Sequence, residues 1–362
     1  MEGEFFHRFR RFDTVKEEGQ MEKCLEVDQL YSMRMSDYML YLHRREAYLR
    51  DNSQDPNFSF IDHDGMKHTI RVDVVCLYLI DFDLNRFLPS TYANFLESFG
   101  YHKLLPGGEH CMMNSVTSSA RPFMGPNVYI TPPASFTAFH QDGHGTVDSA
   151  HLVVTGYNEV VLLRRLTERH KKHALWLLTA DRTTDTESTP KHFDGLYAEP
   201  HADGLGEKPS WPTRDRIKDC EAMGYCPSVL ILQPGQLLHI NKGRLHTFRK
   251  MATSKLPEAD CHCGLRAKVV EENKLTGESV CMSVAWDWMF RGTTAEGINR
   301  EICSVIEAAI LNRNHGKISL AIPETSLLQM AKVYIPVDRT KLPTQSFGSL
   351  LTKPANVTDE EP

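Results

Sequence analysis

Phe136-Thr137-Ala138-Phe139-His140-Gln141-Asp142-Gly143 is the stretch that decides how this chain is understood. Aromatic and β-branched residues favour an extended segment up to His140, and Gly143 marks its end. Side chains of an extended segment alternate between faces, so His140 and Asp142 project together while Gln141 points away. An imidazole and a carboxylate facing one cavity suit a metal ion, and further ligands must come from elsewhere in the chain.

Downstream, Pro234-Gly235-Gln236 makes a sharp turn into the short apolar strand Leu237-Leu238-His239-Ile240. Asn241-Lys242-Gly243-Arg244 then turns the chain again before Leu245-His246-Thr247-Phe248. Two such turns return a last ligand, His246, to the first pair in a double-stranded β-helix. His239 competes for that role, but it lies within the strand and not after the turn. The His-x-Asp-Gly pattern also occurs at His192 with Asp194 and at His201 with Asp203. Both copies fall in a loop-rich region, whereas metal ligands need rigid supports, so His140 and Asp142 are preferred. Two histidines and a carboxylate on one side of a metal, with open positions opposite, form the facial triad of non-haem Fe(II) oxygenases.

The 362 residues are enough for one large or two ordinary domains, and the net charge of -6 gives no general pull toward nucleic acid. Direct nucleic-acid binding is therefore not indicated. No apolar run approaches the roughly 18 residues of a membrane span, and Met1 to Gln20 lacks a signal-peptide core. An intracellular protein, nuclear or cytoplasmic and without a membrane partner, is expected. Nine scattered cysteines then suggest reduced thiols or metal ligands.

Residues 1–57 form an N-terminal accessory segment with a helix over Ser36 to Arg50, capped by Asp37 and carrying Tyr38, Tyr41, Leu42 and Tyr48 at helical spacing. A β-rich domain spans 58–290. Strands are expected at Ile70 to Ile80, Asn127 to Ile130, Ser228 to Leu232 and Ser279 to Trp286, and helices at Pro89 to Phe99 and Arg164 to Ala180. Ser149 to Leu163 is β-rich and interrupted by Thr155-Gly156-Tyr157-Asn158, the pattern of a hairpin or bulge. Residues 181–216, rich in Asp, Thr, Gly and Pro, form an insertion that either faces substrate as a lid or is an inert surface loop. A helical segment, 291–352, carries Ile298, Ile302, Val305, Ile306 and Ala309 on one face. The polar tail 353–362 is expected to be disordered. The fold class is mainly β with flanking helices (α+β) around a double-stranded β-helix core of jelly-roll or cupin type.

The run Thr137-Ala138-Phe139-His140-Gln141-Asp142, followed by Gly145-Thr146, His151 and Gly156, resembles the first half of a JmjC (jumonji C) domain. Pro234-Gly235-Gln236 leading through Gly243 to His246 is similar to its second half. The resemblance covers roughly Phe58 to Trp286. It implies Fe(II) held by His140, Asp142 and His246, with 2-oxoglutarate as cosubstrate and O₂ as oxidant. The implied activity is an N-methyl-lysine demethylase, of the histone type, or a side-chain hydroxylase. Its partner would be a protein or peptide substrate such as a histone tail.

The far carboxylate of 2-oxoglutarate needs a cation or several donors. Thr137 matches a threonine that helps bind it in several JmjC proteins, yet its offset from His140 puts it on the other strand face unless the strand twists or bulges. Those proteins also carry a lysine just after the glycine turn, where this chain has Asn158. Lys242, Arg244 and Arg164 are the alternative cations. Cys220, Cys226, Cys261 and Cys263 are similar in pattern to a structural zinc site of one group of JmjC demethylases. The rival functional class is a catalytically inactive JmjC-like scaffold that serves an interaction.

Overall fold

The computed structural model describes residues 5–15, 23–80, 82–99, 103–132, 135–179, 211–251, 280–291, 297–298, 300–306 and 324–334. The chain begins with strands β1 (Phe6–Val15) and β2 (Lys23–Arg34), helix α1 (Met35–Arg50), and strands β3 (Asn57–Ile61), β4 (Lys67–Arg71), β5 (Val75–Ile80) and β6 (Phe82–Asp83). Helices α2 (Leu84–Phe87) and α3 (Pro89–Phe99) precede β7 (Asn127–Thr131), β8 (Phe136–His140), β9 (Asp148–Thr155) and β10 (Tyr157–Leu162). Helices α4 (Glu168–Thr179) and α5 (Arg214–Ala222) follow, then β11 (Ser228–Leu232), β12 (Leu237–Ile240), β13 (His246–Met251), β14 (Cys281–Trp288) and helix α6 (Glu324–Tyr334).

Two antiparallel sheets dominate, with strand orders β11-β10-β13-β8 and β12-β9-β14-β7-β6. They face each other, because His151 of β9 lies against Phe248 of β13 with ring centroids 4.2 Å apart. Val160, Leu162 and Phe248 from the first sheet share one buried cluster with Val153 and Ile240 from the second. The protein is therefore mainly antiparallel β with flanking helices, an α+β fold.

The helix expected over Ser36 to Arg50 is present, but Asp37 does not cap it: the helix starts at Met35, with Arg34 at the cap position and Asp37 inside the first turn, where it pairs with Arg34. The helix tyrosines bind it to the sheets. Tyr38 and Tyr41 are fully buried. The Tyr38 hydroxyl donates to the Ile130 carbonyl at 2.6 Å, and that of Tyr41 donates to the Val75 carbonyl at 2.8 Å. The residues before it, which showed no strand pattern, form a β1–β2 hairpin, and β1 also pairs with β5. Alternation is hard to see there because Arg8, Arg10 and Arg11 interleave with Phe9 and Phe12, and the register shifts between Arg10 and Arg11.

Two other expectations are corrected. Ile70 to Ile80 is not one strand: the backbone turns between β4 and β5, where the Val74 N–H donates to the Arg71 carbonyl at 3.2 Å. Of the hairpin or bulge expected at Thr155 to Asn158, the hairpin is ruled out, since β9 and β10 belong to different sheets, whereas the register of β9 on β14 does shift between Val153 and Thr155. Gly156 carries the chain across with φ +70, and a Cβ there would sit 2.6 Å from the Cys281 Sγ. Local turn chemistry marks such a corner but not the sheet that the next strand joins.

Of the expected C-terminal helical face, Ile302 and Val305 are buried and Ile298 and Ile306 pack against the same cluster. Ala309, the tail 353–362, and residues 181–210 of the insertion lie outside the described residues. Among the described residues no helix is long and apolar enough to cross a membrane.

Candidate metal centre

The pairing of β8 with β13 builds the site. His246 lies opposite His140 and Phe248 opposite Thr137, so three steps on β8 match two on β13. An extra residue on one strand is a bulge, and it re-aims the side chains on either side of it. Thr137 and His140 therefore both face the interior, which strict alternation forbids, while Phe139 packs outward against Val161, Leu163 and Leu178. Gln141, extended at φ -125 and ψ 132, then carries Asp142 to the same side as His140.

The three candidate ligands meet. The His140 Nε2 is 3.4 Å from the Asp142 Oδ1, and the His246 Nε2 is 3.2 Å from the Asp142 Oδ2. A ligand atom from each of the three lies within 4.8 Å of the others. The Nδ1 atoms of His140 and His246 are turned to backbone carbonyls, at 2.8 Å to Ala138 and 3.0 Å to Arg244. Each ring thus donates through Nδ1 and presents the Nε2 lone pair to the carboxylate, which is how histidines are oriented toward metals.

The unsatisfied valences fit a cation. The Asp142 Oδ2 and the His246 Nε2 are buried and, among the described residues, have no hydrogen-bond partner. Two lone-pair acceptors this close repel each other unless a proton or a metal ion lies between them. Burial pushes the Asp142 carboxyl upward, but the His246 and His140 imidazoles overcome it and hold the group well below the usual carboxylate range. Burial lowers the pKa of His140, and Asp142 more than offsets it, leaving the imidazole raised. The buried His140–Asp142–His246 triad can bind a metal and resembles an iron-binding facial triad.

Polar groups line the same face of the opposite sheet as His151. Ala285 pairs with His151, and Asp287 with Ser149, so these four project from one face. His151 lies 6.2 Å from His246 between ring centroids. Burial lowers its pKa to about 3, so it is neutral. Asp287 is raised well above the usual range by burial and then by Asp142 and Asp148. Register places Asn127, across from Ala285, and Thr131, four residues along the same strand, on this face too. The Asn127 Oδ1, Thr131 Oγ1 and Ser149 Oγ are all buried and have no hydrogen-bond partner among the described residues.

The remaining sequence candidates are dispersed. His239 points to the other side of β12, 3.8 Å from Asp148 and against the Trp288 ring. Lys242 is bound to Asp148 and Glu301, Arg244 donates to the Leu163 carbonyl, and Arg164 is exposed. Thr137 is within 3.5 Å of the Tyr78 hydroxyl. Asn158 is buried and sits directly across from Lys250. Cys220 is buried against α4, with its Sγ 3.9 Å from the Ala174 carbonyl, and Cys226 is exposed. Cys261, Cys263, His192, Asp194, His201 and Asp203 lie outside the described residues.

Sequence reasoning missed Lys250, although the signal was available. Counting by twos from His246 through Phe248 reaches Lys250, so a strand that directs His246 inward directs this lysine inward as well. No known protein-family model matches the chain, and no curated protein matches it.

Proposed function

We propose that this protein is an Fe(II)- and 2-oxoglutarate-dependent dioxygenase of JmjC type acting on a protein substrate, as an N-methyl-lysine demethylase or a side-chain hydroxylase. The observation that carries the reading is the convergence of His140, Asp142 and His246 with their unpartnered acceptor atoms turned toward one another. Strand order supports it. From β7 to β10 successive strands alternate between the two sheets, and after β11 the chain alternates again through β12, β13 and β14. Such alternation, with the ligands at adjacent strand ends, supports the reading of the core as a double-stranded β-helix.

In this reading His140, Asp142 and His246 would hold Fe(II). Bound iron with 2-oxoglutarate and O₂ would supply the oxidant that hydroxylates a C–H bond, with succinate and CO₂ as coproducts. The Ala138 and Arg244 carbonyls keep both imidazoles in the liganding tautomer. Phe248, Val160, Leu162 and Ile240 exclude water from the space between the sheets. His151, neutral at physiological pH, adds no competing positive charge beside the metal.

The test is succinate formation that depends on added Fe(II) and disappears in His140→Ala. Mass spectrometry of reacted peptides then separates the two activities: a loss of about 14 mass units marks demethylation, and a gain of about 16 marks hydroxylation. Metal binding without succinate formation on any peptide would instead assign the chain to the inactive scaffold class.

A further inference from the structure

We infer that Lys250 is the receptor for an anionic end of the ligand that occupies the interior, so that one strand, β13, fixes both the metal through His246 and the ligand's carboxylate through Lys250. The inference rests on the dioxygenase reading only in naming 2-oxoglutarate as that ligand. The anion receptor itself follows from the side chains.

Three lysines are buried among the described residues: Lys171, Lys242 and Lys250. Lys171 donates to the Gln141 Oε1 at 2.8 Å, and Lys242 is bound to Asp148 and Glu301. Lys250 is 4% exposed, and among the described residues its Nζ makes no ion pair or hydrogen bond; the Phe248 ring centroid lies 5.8 Å from it. An ammonium withdrawn from water with no counter-charge is costly, and proteins keep one where a ligand completes it. Burial accordingly lowers its pKa to about 8.

Its direction is set by register. Lys250 pairs with Asn158, Phe248 with Val160 and His246 with Leu162, so the lysine shares the inward face with the metal ligand. Its charge is also felt at His151, which is held down first by burial and then, against Asp142, by His246 and Lys250. Four strand residues put the backbone positions of His246 and Lys250 about 13 Å apart. With both side chains reaching between the sheets, that spacing suits a short diacid with one end near the triad and the other at the ammonium. The buried Asn158 amide, whose Oδ1 has no partner among the described residues, stands one rung across and can turn its NH₂ to the same carboxylate. The cation absent from position 158 is thus present on the neighbouring strand.

Calorimetric titration of 2-oxoglutarate into the full chain loaded with Mn(II) tests this, using wild type, Lys250→Met and the exchanged pair Asn158→Lys/Lys250→Asn. Lys250→Met is expected to weaken 2-oxoglutarate binding at least about 30-fold, the usual effect of removing one partner of a buried charge pair. Its Mn(II) affinity should stay within about twofold, and without ligand its unfolding temperature should equal or exceed wild type, because an uncompensated charge has been removed. The exchanged pair should recover binding relative to Lys250→Met. Equal 2-oxoglutarate affinity in wild type and Lys250→Met would overturn the inference while leaving the dioxygenase reading standing. If Mn(II)-loaded wild type bound no 2-oxoglutarate, the reading itself would fall. If it nevertheless bound succinate through Lys250, the anion receptor would survive without it.

Discussion

Two clusters of metal-ligating residue types occur among the described residues, His140-Asp142-His246 and Asp62-His63-Asp64. Their chemistry is alike and their circumstances are opposite. The second cluster sits in the turn between β3 and β4, where the Asp62 Oδ1 accepts the N–H groups of Asp64 and Met66 at 2.9 and 2.8 Å. Its Oδ2 meets the His68 Nε2 at 2.7 Å, and His63 and Asp64 are exposed. Every strong acceptor of Asp62 is therefore already used in closing the turn, whereas Asp142 and His246 keep buried acceptors with nothing to accept from. Unspent valence in a dry place, more than residue type, separates a candidate site from a well-made turn.

The largest effect should come from breaking that contrast directly. Asp142→Ala removes the one carboxylate of the triad and is expected to lower Mn(II) affinity by more than about 100-fold, beyond what loss of an outer-sphere partner costs. Asp62→Ala, by the same titration, should leave the affinity within about twofold. Comparable losses in the two variants would place metal binding outside the triad.

A third carboxylate sharpens the comparison because it is buried and yet satisfied. Asp148 is 3% exposed, and it accepts the Lys242 N–H at 3.0 Å, the Lys242 ammonium at 3.3 Å and the Phe290 N–H at 3.0 Å. Asp148→Asn should leave Mn(II) affinity unchanged but destabilise the fold by about 3 kcal/mol, as breaking a buried ion pair does. Burial raises the pKa of this group, but His239, Lys242 and the two amides together lower it below 3.8. With the folded value depressed, the ionised carboxylate stabilises the protein fully above pH 3.8, and this contribution is lost as pH falls through the folded value. Denaturant midpoints of wild type and variant should therefore converge in acid. A gap that persists there would assign Asp148 a packing role instead of an electrostatic one.

The triad was legible in the sequence because two local patterns pointed to one place, a strand ending in His-x-Asp and a double turn ending in His246. What alternation alone did not supply is the bulge between His140 and Thr137, whose extra residue depends on which strand pairs with β8. Lys250 was legible and passed over, since the search for a cation followed the family's position to Asn158 instead of following the face of β13. The β1–β2 hairpin was obscured by arginines alternating with phenylalanines, a pattern whose polar face looks like surface from the sequence. The membership of β9 and β10 in different sheets is a long-range fact that no window around Gly156 contains.

The smallest expected difference lies between two glycines, one in each turn. Gly65 beside Asp62 and Gly145 after Asp142 have nearly the same left-handed backbone, φ +79 and φ +78. A Cβ at Gly65 would meet nothing within 4 Å, so Gly65→Ala should cost only the conformational term, about 1 kcal/mol. A Cβ at Gly145 would fall 2.8 Å from the Gln141 Oε1 and 3.4 Å from the Gly243 Cα. Gln141 is not free to yield, because Lys171 holds that oxygen, and it lies between His140 and Asp142 in the chain. Gly145→Ala should therefore lose about 1 kcal/mol more than Gly65→Ala and weaken Mn(II) binding several-fold, since displacing Gln141 turns Asp142 away from the histidines. Because the left-handed term is common to both, subtracting one denaturation curve from the other isolates the contact. Equal losses, with metal affinity intact in both, would mean that the Asp142 turn accommodates the methyl group and that Gln141 does not position the carboxylate.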